Sequence, residues 1–377
     1  MKISMPRPPH RLERLRAWME DERLDCTIVF GADNVNHLCG YWRYFGGVSA
    51  LVVGRDGERT LTVMADEARV ARELSSADEV IGFGERGFGI DLDPVAGLIE
   101  TVAAVPLAAS ARRIGVSSEL PGADTRLSGT VSAELVGAGD ILRRLRLIKD
   151  WDELEKILAA YELCWVGHRA IADGAQPGAQ EIELYTAAQA AAQIQSGGPI
   201  EFVCDLLSGP NSADVCCPIR VAGRRAVERG DPIVADVVVR TNGYWGDSAE
   251  THVVGSNEEA ETARAELLAI LEAAGTQLVP GATGSEVFQG TRDRILSTFP
   301  EGEFPHHGGH AIGLTGFEDP HLIPSDQMPL EPWMVLAVEP GVYFPGRYGV
   351  RVENVFVVTP EGGVELRSFM GSRDGRD

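Results

Sequence analysis

Apolar and polar positions alternate with two different periods along the chain, and these periods predict its helices and strands. In residues 11–23, Leu12, Leu15, Trp18 and Met19 fall on one face of a helix, because positions three and four apart lie together on an α-helix. Short apolar runs bounded by turn residues predict strands. The remaining predicted elements up to residue 140 are strands at 26–31, 48–54, 59–64, 79–83, 112–117 and 132–138, and helices at 66–74 and 93–105. Strand and helix therefore alternate, which predicts an α/β domain.

The second part of the chain has a different order of elements. A long helical pattern starts near residue 150, where Asp150 or Asp152 could cap it. The Thr283–Glu286 spacing is that of a capping box. The predicted elements are helices at 150–172, 179–195, 257–275 and 283–299, a strand at 200–209, a hairpin at 231–253 and a strand-rich segment at 305–370. We expect an α+β domain with a curved antiparallel sheet backed by helices, and place the domain boundary between residues 147 and 148.

The hairpin at 231–253 places two acidic residues in an apolar setting. Asn242-Gly243 predicts a tight turn, since both residue types tolerate positive φ. A two-residue turn would set Asp236 opposite Ala249 and put Asp247 on the same face, diagonal to Asp236. Two such carboxylates repel each other and lose hydration, and a cation between them would remove both penalties. The alternatives are that a bulge breaks this parity, or that Asp236 simply pairs with an arginine.

Three further residues extend this candidate metal site. His310 follows a Gly-Gly pair, Glu339 ends an apolar strand before Pro-Gly, and Glu353 lies in a Val-rich strand. Each residue alone has an ordinary explanation, as a loop histidine or as a glutamate paired with a base. Four carboxylates and one imidazole together form a hard, oxygen-rich site that suits Mn²⁺, Fe²⁺, Co²⁺ or Zn²⁺. Four carboxylates exceed the charge of one divalent ion, so two ions are expected.

The order of these motifs, from the two aspartates through GHAIGL and VEPGVY to RVEN, resembles the pita-bread metallopeptidase superfamily. Its members include aminopeptidase P, prolidase, methionine aminopeptidase and creatinase. The resemblance covers nearly the whole chain. It implies a creatinase-like N-terminal α/β domain at 1–147 and a pita-bread catalytic domain at 148–377.

The resemblance also implies a role for each candidate ligand. Asp236 would chelate one metal ion, Asp247 and Glu353 would bridge both, and His310 and Glu339 would complete the second site. Manganese is the first expectation for the metal, with iron, cobalt or zinc as alternatives. Glu339 would also shuttle a proton for a hydroxide that bridges the metals.

Three neighbouring residues match positions near the substrate in aminopeptidase-P-like relatives. Arg351 and His306 are candidate catalytic residues, and Tyr343 is a candidate pocket residue. The alternatives are a surface charge for Arg351 and a buried core position for Tyr343.

The chain departs from the peptidase relatives where they carry two further histidines. Phe317 stands seven residues after His310, where a histidine is usual, and Cys216 or Cys217 occupies the other histidine's place. Neither phenylalanine nor a neutral thiol replaces imidazole as an acid or base near pH 7. His321 is a candidate substitute, with an ordinary surface-loop histidine as the alternative. The substrate-facing residues are therefore expected to differ from those of the peptidases.

Composition limits the possible partners and compartments. The formal net charge of −22 disfavours nucleic acid and anionic membranes as partners. The six cysteines have irregular spacing without a C-x-x-C pair, which favours a reducing compartment over a disulfide framework. No apolar signal segment and no transmembrane run is seen, so a cytoplasmic enzyme is expected.

The leading functional expectation is a dinuclear metallohydrolase that cleaves an amide or peptide-like C–N bond, similar to Xaa-Pro peptidases. Its substrate would be a short peptide or a small molecule. The alternatives are a small-molecule hydrolase or lyase on the same scaffold, which creatinase exemplifies by analogy, and a non-catalytic binding protein. The resemblance further implies a homodimer.

Overall fold

The computed structural model of the protein describes residues 5–44, 47–84, 93–214 and 221–372. Of these, residues 8–146 form one compact unit, and residues 5–7 join 147–372 in the other. Cys216 and Cys217 lie outside the described residues.

The N-terminal unit is an α/β layer structure, as its alternating pattern predicts. Its strands follow the order β4-β3-β2-β1-β5-β6 in a mixed sheet, with apolar clusters on both faces. The strands are β1 (Cys26–Phe30), β2 (Ala50–Gly54), β3 (Arg59–Met64), β4 (Glu79–Phe83), β5 (Arg113–Ser118) and β6 (Glu134–Gly137). The helices are α1 (Arg11–Asp21), α2 (Ala32–Cys39), α3 (Ala68–Leu74), α4 (Pro94–Ala104), α5 (Pro106–Ala109), α6 (Ala123–Ser128) and α7 (Gly139–Leu147). Helices α2, α5, α6 and α7 were not predicted.

The C-terminal unit has antiparallel sheets backed by helices, which confirms the predicted α+β class. Its helices are α8 (Trp151–Gly174), α9 (Glu181–Ser196), α10 (Glu258–Thr276), α11 (Gly284–Thr298) and α12 (Leu366–Ser372). The first strands are β7 (Glu201–Ser208), β8 (Pro232–Thr241), β9 (Tyr244–Val253), β10 (Gly309–Ala311) and β11 (Glu318–His321). The others are β12 (Val335–Val338), β13 (Gly341–Phe344), β14 (Tyr348–Arg351), β15 (Asn354–Thr359) and β16 (Gly362–Glu365). The sheet orders are β7-β8-β9, β11-β10-β12-β15-β16 and β13-β14.

Two helix starts follow the local sequence. Asp150 is the N-cap of α8, and its backbone N–H donates to Glu153 Oε2 at 2.9 Å. Thr283 caps α11 in the predicted capping box, where Glu286 N donates to Thr283 Oγ1 at 3.2 Å. These side chains satisfy backbone groups that helix ends otherwise leave unpaired.

Helix α8 lies directly against the β8–β9 hairpin. A Cβ atom at Gly246 would stand 2.2 Å from Tyr161 N and 2.4 Å from the carbonyl carbon of Ala160, so only glycine allows this approach. Val237 and Val239 on the same face of the hairpin are fully buried. The face opposite α8 is thereby left for the acidic residues.

Among the described residues, no helix combines the length and apolar character that crossing a bilayer requires.

Replacing Gly246 with alanine should destabilise the C-terminal unit, because the new methyl group overlaps backbone atoms of α8 that cannot rotate away. We expect the free energy of unfolding to fall by about 3 kcal/mol in chemical denaturation. Gly198 is the matched control, since nothing lies within 4 Å of its added Cβ, and Gly198→Ala should change stability by less than ~0.5 kcal/mol. Equal stabilities of the two variants would contradict this packing.

Candidate metal centre

The β8–β9 register places Asp236 and Asp247 on one face of the hairpin. Asp236 is paired with Ala249, and Val238 with Asp247, as the two-residue turn predicts. The turn residues Asn242 and Gly243 have φ of 51° and 78°, the positive values that this turn needs. Because side chains alternate across a strand, both carboxylates face away from α8.

The other candidate ligands meet where three strands end together. Gly309 of β10 pairs with Val338 of β12, and Val338 pairs with Asn354 of β15. His310 follows Gly309, Glu339 follows Val338, and Glu353 precedes Asn354. The pairing of these strands therefore brings the three residues together at one edge of the sheet.

Backbone hydrogen bonds join this edge to the hairpin. Glu353 N donates to Ala249 O at 2.9 Å, and Glu339 N donates to Gly308 O at 3.0 Å. The first bond crosses from the strand edge to β9, directly beside the hairpin acids. The candidate ligands are therefore held by main-chain contacts as well as by side-chain packing.

The side chains of these residues approach within a few ångströms. One ligand atom from each of Asp247, His310 and Glu353 lies within 4.8 Å of the others. His310 Nε2 is 3.7 Å from Asp247 Oδ2 and 3.9 Å from Glu339 Oε1. Asp236 belongs to the same cluster, because Arg351 Nη1 lies 2.6 Å from Asp236 Oδ2 and 3.9 Å from Glu339 Oε2. The distances are wide enough to admit a cation between the groups.

Several oxygen atoms of the cluster lack a protein partner. Asp236 Oδ1, Asp247 Oδ1 and both carboxylate oxygens of Glu353 are buried without a hydrogen-bond donor among the described residues. Glu353 is only 2 % exposed. Buried polar atoms are nearly always paired, and coordination of an ion is one of the few explanations for such a group. The donor set therefore fits a divalent cation.

His310 is oriented as a metal ligand would be. Its Nδ1 lies 3.0 Å from Ala311 O. A carbonyl oxygen only accepts hydrogen bonds, so Nδ1 must bear the proton and Nε2 keeps its lone pair. That lone pair is on the nitrogen nearest Asp247 and Glu339, and a backbone bond that fixes the tautomer is typical of metal-bound histidines.

Three of the clustered acids have raised pKa values, because their ionised forms are buried close to one another. Burial, reinforced by the neighbouring carboxylates, raises the pKa of Asp247 and of Glu353 well above its usual range. Burial also raises the pKa of Asp236 to about 6, although Arg351 opposes the shift. A bound cation would reverse these effects by stabilising the ionised forms.

Glu339 behaves differently from the other carboxylates. Burial opposes its ionisation, but the close contact with His307 and its charge, followed by the charge of Arg351, outweigh burial. The pKa of Glu339 falls to about 2 as a result. His307 Nδ1 lies 3.0 Å from Glu339 Oε1.

A chain of hydrogen bonds links Arg351 to the histidines. Arg351 Nη1 donates to Asp236 Oδ2 at 2.6 Å, and its Nε donates to Tyr343 Oη at 2.8 Å. His306 Nδ1 lies 2.7 Å from the carbonyl of His307, so Nδ1 donates and His306 Nε2 accepts from Tyr343 Oη at 2.9 Å. Burial, followed by the charge of Arg351, lowers the pKa of His306 to about 3.

These contacts decide between the readings left open by the sequence. Arg351 is 4 % exposed, so the surface-charge alternative is wrong. Tyr343 belongs to a small apolar cluster with Leu207 and Val234 and also joins the hydrogen-bond chain through its hydroxyl. The arginine alternative for Asp236 holds for one oxygen only, because Oδ1 keeps no partner among the described residues.

The remaining pocket candidates have separate positions. The Phe317 ring centroid is 4.2 Å from that of His310, and the side chain is 64 % exposed. His321 is the register partner of His310, but its Nδ1 lies 3.1 Å from Glu318 O and its backbone N donates to Asp326 Oδ2. The predictions for Cys216 and Cys217 fall outside the described residues.

The sequence analysis missed Asp205, which lies beside the cluster. Asp205 of β7 is the register partner of Asp236, so it shares the acidic face of the sheet. Burial raises its pKa, Arg351 opposes this and Glu339 adds to it. The alternation of β7 could have suggested this orientation, but only once the pairing of β7 with β8 was known.

Comparison with known protein families gives one match for each of the two units. The family described as metallopeptidase family M24 matches residues 155–360. The creatinase/prolidase N-terminal domain matches residues 11–148. These two matches cover the segments that the sequence analysis assigned to separate domains.

Individual relatives are named as dipeptidases. The "Probable dipeptidase PepE" of Mycobacterium tuberculosis is 31% identical over 234 residues, which are 61% of this chain and 61% of that relative, so only part of its length is matched. The "Xaa-Pro dipeptidase" of Pyrococcus furiosus is 28% identical over 360 residues, covering 94% of this chain and 97% of its own. The solved prolidase of Pyrococcus horikoshii has a TM-score of 0.78 at 25% identity, covering 94% of this chain and 97% of that one.

Glu353→Gln should stabilise the metal-free protein. At pH 8, folding the wild type costs free energy either for the buried Glu353 charge or for taking up a proton, and glutamine avoids both costs. We expect the free energy of unfolding in a chelating buffer to rise by about 1–3 kcal/mol. Conversely, Mn²⁺ should raise the melting temperature of the wild type more than that of the variant.

The matched control for this substitution is Glu331→Gln, because Glu331 is exposed and should alter neither quantity. A metal-free Glu353→Gln protein that is less stable than the wild type would show that Glu353 has a stabilising protein partner.

Proposed function

Because the chain belongs to metallopeptidase family M24, we propose that it is a metal-dependent hydrolase of the prolidase and aminopeptidase P type that cleaves a peptide bond next to proline. The observation that supports this most strongly is the set of buried carboxylate oxygens without protein donors around His310 Nε2. A binding scaffold has no need to keep these acids together at such electrostatic cost. The relatives named as Xaa-Pro dipeptidases support proline-containing substrates.

Five residues would hold two divalent cations in this proposal. They are Asp236, Asp247, His310, Glu339 and Glu353. When bound, the cations supply Lewis acidity, which polarises the scissile carbonyl and lowers the pKa of a water molecule. The oxygen-rich donor set favours Mn²⁺, with Fe²⁺, Co²⁺ and Zn²⁺ as competitors.

Glu339 is the proposed proton acceptor. Its pKa of about 2 keeps it ionised at neutral pH. Glu339 Oε1 lies 3.0 Å from Nδ1 of the partly exposed His307 side chain, although this contact does not have hydrogen-bond geometry. Carboxylates within hydrogen-bond reach of the reacting proton commonly contribute factors of about 10²–10⁴.

Arg351 and Tyr343 would position the other groups. Arg351 holds Asp236 through Oδ2 and leaves Oδ1 available, while Tyr343 keeps neutral His306 in a fixed orientation. His306 Nδ1 is 3.8 Å from Glu339 Oε2. His306 therefore lies beside Glu339 with both ring nitrogens bonded to the protein, which suits a positioning role.

A small-molecule hydrolase or lyase is the second candidate, because the resemblance implies that Phe317 stands where peptidase relatives carry a histidine. An enclosed pocket around Phe317 would favour it. The 64 % exposure of Phe317 instead supports a substrate that extends beyond the centre, as a peptide does.

The purified protein with Mn²⁺ is expected to release the first residue from Gly-Pro or from an Xaa-Pro-Pro peptide. Glu339→Gln should lower kcat by at least ~10²-fold, since it removes the proposed proton acceptor. Liberated amino acid can be measured by chromatography. Turnover no greater than that of the variant would remove the Xaa-Pro proposal, and a parallel panel of small amides would then test the second candidate.

We further propose a homodimer in the cytoplasm. The dimer follows from the resemblance to the superfamily. The compartment is supported by the free thiols at Cys26, Cys39, Cys164 and Cys204, since free cysteines persist in reducing environments. Light scattering after size-exclusion should give twice the chain mass of 40.5 kDa; the monomer mass at micromolar concentration would contradict the dimer.

A further inference from the structure

An exposed aromatic ring lies beside the candidate metal centre. Phe317 is 64 % exposed, and its ring is tilted by 37° against that of His310 at 4.2 Å between centroids. It also meets the His307 ring edge-on at 5.9 Å. Covering an exposed apolar surface of this kind with another apolar group lowers the free energy, because both surfaces are removed from water.

The loop that bears Phe317 has a defined conformation. Gly313 N donates to Thr315 O at 3.2 Å, and Thr315 Oγ1 donates to Phe317 O at 2.8 Å. Trp245 N donates to Gly313 O at 2.8 Å, which ties the loop to β9 two residues before Asp247. The ring is therefore presented by a fixed turn attached to the same hairpin as the candidate ligands.

A buried ion pair holds the far side of this loop. Lys149 Nζ is 2.6 Å from Glu318 Oε2, and the two side chains are 1% and 6% exposed. The other oxygen, Glu318 Oε1, accepts from Leu314 N at 2.9 Å and from Thr315 N at 3.2 Å. One carboxylate thus links the start of α8 to the backbone of the Phe317 loop.

We propose that Phe317 determines specificity by binding an apolar side chain of the peptide substrate over His310, and that Lys149 and Glu318 are positioning residues that keep it there. This inference rests on the proposed peptidase function. The ligand class is a peptide with an aliphatic or aromatic side chain next to the scissile bond. Phe317 supplies contact area, while Glu339 remains the proposed proton acceptor.

The specificity of Phe317 can be measured with two peptide series. One series varies Xaa in Xaa-Pro from glycine to leucine and phenylalanine, and the other varies Xaa in Xaa-Pro-Pro in the same way. In Phe317→Ala, the ratio of kcat/KM for the apolar peptide to that for the glycine peptide should fall about tenfold in one series, which corresponds to ~1.4 kcal/mol of lost contact. Phe317→Leu should retain most of the ratio. Unchanged ratios in both series would overturn the proposal.

The positioning role needs variants that separate loop geometry from stability. Lys149→Met alone leaves the Glu318 charge buried without its partner and is expected to lower the melting temperature. The double variant K149M/E318Q removes the charge but keeps an oxygen for Leu314 N and Thr315 N. K149M/E318L also removes the charge but leaves both N–H groups without that acceptor.

The two double variants should therefore differ in specificity. We expect K149M/E318Q to keep the apolar preference within about twofold and K149M/E318L to lose most of the Phe317-dependent ratio, about fivefold or more. Equal ratios in the two double variants at equal melting temperatures would show that the ion pair serves stability only, which overturns the positioning role. Lys149→Arg, which keeps the charge, should retain the ratio.

Peptide binding separates this inference from the function it rests on. In the Glu339→Gln background with Mn²⁺, calorimetry reports affinity without cleavage. If apolar peptides bind more weakly when Phe317→Ala is added, the specificity role of Phe317 is supported even where the wild type cleaves no peptide. The lack of cleavage would then reject the peptidase proposal alone. Cleavage by the wild type with affinities and ratios insensitive to Phe317 rejects this inference alone.

Discussion

Mutual repulsion among buried carboxylates is the constraint on which the C-terminal unit depends. Asp247 and Glu353 are 6 % and 2 % exposed and have oxygens without donors among the described residues. Such an arrangement is unfavourable in any protein that lacks a compensating cation. Arg351 supplies part of the compensation by bonding to one oxygen of Asp236. Asp236 can therefore pair with Arg351 through Oδ2 and still bind a metal ion through Oδ1, which has no donor among the described residues.

The scaffold resists this repulsion through main-chain geometry. The hairpin is pressed against α8 where Gly246 permits backbone contact, and the edge formed by β10, β12 and β15 is bonded to β9 through Glu353 N. The acids cannot separate without breaking strand pairing. Proline and glycine follow Glu339 directly, and β13, which carries Tyr343, starts at that glycine.

The parts of this site that the sequence could predict are those set by local rules. The Asn-Gly turn fixes its own register, so the common face of Asp236 and Asp247 followed from alternation. His310, Glu339 and Glu353 followed from a motif order that resembles a known superfamily. Asp205 could not be predicted, because its orientation depends on the pairing of β7 with β8. The Lys149–Glu318 pair spans 169 residues, and no local pattern indicates a contact at that distance.

Helix α2 shows the same limit in the N-terminal unit. Asn34, Asn36 and His37 are buried in it beside Val35, Leu38 and Cys39, so its short apolar stripe lacks the exposed polar face that marks an amphipathic helix. Gly31 precedes it without a side-chain cap. The tertiary environment, rather than propensity or capping, explains this helix.

The wide separation of the candidate ligands along the chain has a consequence for the life of the protein in the cell. Asp236 belongs to β8 and Glu353 directly precedes β15, and these two strands belong to different sheets. A cation bound by these residues would connect distant segments of the polypeptide and would close a large loop of the unfolded chain. Starvation for that ion would then loosen the whole unit and expose it to degradation, so that the abundance of the protein would follow the supply of the ion.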